Sequence, residues 1–64
     1  DMDKSISIYE LGKLAQNGDE VAMLEIINRK KKFIKRLSYG DEDRYQYIIL
    51  KLIEAIKNYD FRKF

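Results

Sequence analysis

The sequence predicts an all-α, three-helix bundle, and three observations carry that expectation. The 64 residues include no proline and only three glycines, so breakers of helix are few. Apolar residues recur at i, i+3, i+4 and i+7 over three stretches. Two short glycine-containing breaks, Asn17-Gly18-Asp19 and Ser38-Tyr39-Gly40-Asp41, divide those stretches into segments of helical length.

The first helix is expected over about residues 7–16. Ser7-Ile8-Tyr9-Glu10 has the Ser-x-x-Glu spacing of a capping box, and Ile8, Leu11, Leu14 and Ala15 follow at helical intervals. Asn17-Gly18 supplies a left-handed stop, and Asp19 caps the next helix at once. That second helix, about 20–37, carries Ala22, Met23, Ile26, Ile27, Phe33, Ile34 and Leu37 as its core stripe. Acidic residues begin it and basic residues finish it, in the order that the helix dipole favours. The third helix, about 42–58, places Tyr45, Ile48, Ile49, Leu52, Ile56 and Tyr59 on one face. One domain over residues 1–64 is expected, because a chain this short needs nearly all its apolar residues for a single core.

Composition excludes several classes of function. Cysteine and histidine are both absent, which removes a disulfide framework, thiolate metal sites and the commonest general base. Asp41, Glu42 and Asp43 are consecutive at a helix start and point in different directions, so capping explains them better than a metal does. No phosphate loop or nucleophile–base pair is present. The expectation is a protein that is no enzyme and carries no metal or cofactor. No apolar run approaches the ~18–20 residues of a bilayer span. Asp1, Asp3, Glu10, Asp19 and Glu20 leave no room for a signal peptide's apolar core. The cytoplasm is the expected compartment, and Met2 the expected natural start.

Two surface features remain. Arg29, Lys30, Lys31, Lys32, Lys35 and Arg36 put six cations into eight residues. A solvated helix end offsetting the last carbonyls accounts for such a run, with Arg29, Lys31, Lys32, Lys35 and Arg36 as nucleic-acid phosphate contacts in a secondary role. The third helix is too apolar for its position, since Tyr47, Leu50 and Ile53 lie outside the stripe that a three-helix core uses. A surplus of that kind on a small protein points to a protein partner. Self-pairing of the same face in a homodimer through helix three is the other way to cover it.

The segment Leu14-Ala15-Gln16-Asn17-Gly18-Asp19 with Ala22 resembles the opening of region 2 in bacterial sigma-70-type factors. The resemblance is strongest to the extracytoplasmic-function and clostridial toxin-gene types. Glu42 to Ile53 is similar to region 2.2, and Ala55 to Asp60 continues it in the same manner. The chain is also similar to short helix-turn-helix regulators of conjugative elements. This resemblance implies the N-terminal part of sigma region 2, docking on the β′ coiled coil of core RNA polymerase. The family's contacts fall on Asp43, Gln46, Tyr47, Ile49 and Ile53, with Leu50 and Glu54 adjacent; Ile49 also belongs to the expected core. Two departures matter, because Tyr47 stands where the family has a glutamate and Arg44 where it has an apolar residue. Promoter DNA would then be read by the full protein or by a second polypeptide. The alternative is a helix-turn-helix DNA-binding regulator of a mobile element, although the outer face of helix three offers few base-reading side chains.

Overall fold

The computed structural model describes residues 5–61. Three helices follow one another: α1 (Ile8–Gln16), α2 (Glu20–Ser38) and α3 (Glu42–Asn58). Each starts on the side chain expected to cap it. Ser7 Oγ accepts from the Glu10 amide at 3.1 Å, Asp19 Oδ1 from Ala22 at 3.0 Å, and Asp41 Oδ1 from Arg44 at 3.1 Å. Each bond satisfies one amide that a helix start leaves without an intrahelical partner.

The first corner is a Schellman turn. Gly18 sits at φ +95°, its amide bonds the Ala15 carbonyl at 3.1 Å, and the Asp19 amide reaches back to Leu14 at 3.0 Å. Asn17, expected to share the left-handed stop, has an ordinary φ of −88°. The second corner is less usual, because Tyr39 itself adopts the left-handed conformation (φ 52°, ψ 34°) ahead of Gly40 at φ +78°. Ser38, just before it, is buried, and its Oγ donates to the Lys35 carbonyl at 2.8 Å.

Leu11 and Ala15 of α1, Ala22 and Ile26 of α2 and Ile56 of α3 form the core, with Ile6, Met23 and Leu52 packed against it. Ala22 is fully buried where α1 crosses α2, as a small residue at a close approach must be. Further along, Ile34 is buried between α2 and α3. Five residues of the expected apolar stripes, Ile8, Leu14, Phe33, Leu37 and Tyr59, are exposed instead, Phe33 at 57%. For Phe33 and Leu37 the reason lies in helix length: α1 has nine residues, against nineteen in α2 and seventeen in α3. At about 1.5 Å per residue α1 covers only about half of α2. Ile8 and Leu14 lie at the outer edge of α1's own apolar stripe.

Polar bonds tie the ends of this short helix to its neighbours. Arg29 pairs with Glu25 at 2.9 Å and donates to the Ile6 carbonyl at 2.6 Å, which holds the chain entering α1 against the middle of α2. Gln16 Nε2 donates to the Ile56 carbonyl at 2.9 Å and to the Tyr59 carbonyl, so α1 closes the C-terminus of α3. Tyr9 Oη donates to the Phe61 carbonyl at 2.9 Å, and the two rings meet edge to face at 5.6 Å.

Candidate nucleic-acid interface and docking face

The basic run divides once it is folded. Arg29 is turned inward to Glu25 and Ile6, and it acts as a strut within the fold. Lys30, Lys31, Lys32, Lys35 and Arg36 are exposed, and among the described residues no ion pair engages them. At about 100° per residue, Lys31, Lys32, Lys35 and Arg36 fall within an arc of about 140° on one side of α2. Lys30 lies on the other side, beside Phe33 and Leu37. Lys31 and Lys35 flank a shallow depression at the α2–α3 corner, with Ser38, Gly40, Asp41, Glu42 and Tyr45 on its other walls. The two acids soften the positive potential there, although Asp41 is occupied as the cap of α3.

Beside this depression stands Tyr39, 83% exposed, with the Arg44 guanidinium 5.7 Å from its ring centre. The sequence reading used Tyr39 only as part of a helix stop. An exposed aromatic ring with Arg44 over it, at the same helix corner as Lys31 and Lys35, suits a nucleic-acid surface, where bases stack and phosphates pair. The signal available in sequence was a tyrosine at a position where glycine or asparagine is usual.

The expected docking residues on α3 also divide. Asp43, Gln46, Tyr47, Leu50 and Glu54 are exposed on the outer side, with Tyr47 at 61% and Leu50 at 64%. Gln46 donates to Glu42 at 3.3 Å, while Lys51 lies 5.6 Å from the Tyr47 ring centre and 3.9 Å from Glu54. Ile49 and Ile53 are half-buried. Ile53 faces a depression that it shares with Met23, Leu24 and Ile27 of α2. Leu24, 64% exposed, extends the apolar surface onto α2, and the sequence reading did not single it out.

The family model of the helix-turn-helix domain matches residues 9–60, nearly the whole described bundle. The chain belongs to the helix-turn-helix domain family. Neither a curated protein nor a solved structure matches it. Both three-residue corners, each a tight turn between a helix stop and an aspartate cap, have the length that joins the two helices of a helix-turn-helix. DNA binding is the activity class that this fold family serves. Among the described residues no helix is long and apolar enough to cross a membrane, and no group of three acidic, histidine or cysteine residues could hold a metal ion.

Proposed function

We propose that this helix-turn-helix domain is a binding module of a transcription regulator that grips DNA by its phosphates through Lys31, Lys32, Lys35 and Arg36. The observation that carries this reading is the set of four exposed cations on one side of α2, without ion-pair partners among the described residues. Phosphate contacts give affinity and register, and sequence is read elsewhere. The helix starts support that division: α2 and α3 open on Glu20 and on Glu42-Asp43, which suit base edges and phosphates poorly. Titration of a short duplex at several salt concentrations tests the reading. Wild type should bind with a salt-dependent affinity, and the Lys31→Glu, Lys35→Glu double variant should lose it. Equal binding by a folded double variant would end it.

A second reading rests on a separate observation, the exposed Tyr47 and Leu50 flanked by Asp43, Gln46 and Glu54. In this sigma-like reading the outer face of α3 docks on the β′ coiled coil of core RNA polymerase. Leu50 buries apolar area, and the polar neighbours orient against the partner's cations. Promoter DNA is then engaged by the full protein or together with a second polypeptide. Retention of a purified β′ coiled-coil fragment by wild type, and its loss in folded Leu50→Asp, supports it. Failure of folded wild type to retain the fragment removes it, and a concentration-dependent mass abolished by Leu50→Asp assigns the face to a homodimer instead.

A further inference from the structure

The shortness of α1 leaves an apolar groove on the α2–α3 pair. The Arg29–Ile6 bond marks where the cover of α1 ends, midway along α2. Beyond it, Phe33, Leu37, Ile48 and Leu52 line an open cleft of about 300 Å³ together with Lys30 and the edge of Ile34. The stretch of α2 that α1 does not cover is about ten residues long, or about 15 Å, enough to seat two to three turns of another helix.

The charges around this cleft are of one sign. Residues three and four positions apart on a helix are surface neighbours. Around Phe33 those positions hold Arg29, Lys30 and Arg36, and around Ile48 they hold Arg44 and Lys51. Arg29 is committed to Glu25 and Lys51 leans toward Glu54, which leaves Lys30, Arg36 and Arg44 as the cationic border. A second copy of this chain would bring the same cations against themselves, which disfavours self-pairing through this face. Duplex DNA has no apolar ridge to bury against Phe33 and Leu37.

We infer that this groove receives an amphipathic helix of a partner protein, apolar on one face and rich in glutamate or aspartate on its flanks. The site lies on the opposite side of α2 from Lys31 and Lys35 and away from the outer face of α3. Arg36 borders both this site and the proposed DNA-gripping face, so Lys31 and Lys35, which lie away from the groove, are the residues that separate the two.

The test uses the whole 64-residue chain and a synthetic helical peptide of leucines at i, i+3, i+4 and i+7 with glutamates on its flanks. Amide chemical shifts of the labelled protein should change saturably at Phe33, Leu37, Ile48 and Leu52. The same peptide with lysine for glutamate should fail to bind. Phe33→Asp, checked for helicity, should weaken binding at least about tenfold, because a ring that the peptide would cover is replaced by a charge that repels the glutamates. Phe33→Ser, which adds no charge, should weaken it less. The Lys31→Glu, Lys35→Glu variant should bind the peptide as wild type does, whatever it does to DNA. Shifts confined to other residues, equal binding of the lysine peptide, or unchanged affinity in a folded Phe33 variant would each overturn the proposal. So would self-association or duplex binding that maps to this groove.

Discussion

The para edge of the Phe61 ring points at Gly12, so close that a Cβ at Gly12 would overlap the ring. This contact fastens the chain after α3 to the middle of α1, together with the Tyr9–Phe61 hydrogen bond, while the Tyr59–Phe61 edge-to-face pair at 4.7 Å braces that segment itself. Gly12 is buried and helical, where alanine would otherwise be better by about 1 kcal/mol. Its retention follows from the space that Phe61 occupies.

Gly12→Ala should therefore destabilise the protein, by about 1 kcal/mol, as the ring is displaced and its contacts are lost. In a Phe61→Ala background the same change should stabilise by about 0.5–1 kcal/mol, since only the helix preference remains. Denaturant unfolding of the four proteins measures this reversal of sign.

Gln16→Ala should cost about 1–2 kcal/mol, because two carbonyls at the end of α3 lose their donor. In a domain of this size that lowers Tm by roughly 4–16 °C. Hydrogen exchange should accelerate first in the last turn of α3, which distinguishes a lost cap from general loosening.

Tyr39→Gly should raise stability by about 0.5 kcal/mol. Relief of the left-handed strain on a non-glycine residue outweighs the entropy of glycine and the loss of the Arg44–ring contact. Tyr39→Ala keeps the strain and loses the ring, and it should fall about 0.5 kcal/mol below wild type in thermal or denaturant unfolding.

Asp19→Ala should cost about 1 kcal/mol through the lost cap at the first corner. Lys31→Ala with Lys35→Ala should leave stability within about 0.5 kcal/mol, since both side chains are exposed and make no ion pair among the described residues. The same pair should lower the slope of log affinity against log salt by about 2 on duplex DNA. Calorimetry reads the first two effects and a salt titration the third.

Helix order and boundaries were legible in the sequence, because caps act locally. Ser7, Asp19 and Asp41 each bond an amide three residues on, and Gly18 and Gly40 supply positive φ wherever the rest of the chain lies. The exposure of Tyr47 and Leu50 was legible too, since one helix cannot bury its whole circumference against two neighbours. The separation of Arg29 from the rest of the basic run was not. Glu25 is an i,i+4 neighbour on the same helix, but Ile6, twenty-three residues away, is brought to Arg29 only by the way α1 returns along α2.

Local sequence by itself determined three helices, their caps and two tight corners, because those bonds close within three to five residues. Only the tertiary structure decided which apolar residues are inside. Periodicity marks a face of a helix without telling how far a neighbour extends along it. Phe33 and Leu37 continue the same stripe as Ile26, but α1 is too short to reach them, so identical spacing is buried at one end of α2 and open at the other. Gln16 and Gly12 likewise take their roles from Ile56, Tyr59 and Phe61, some forty to fifty residues along the chain and adjacent only once the helices have packed.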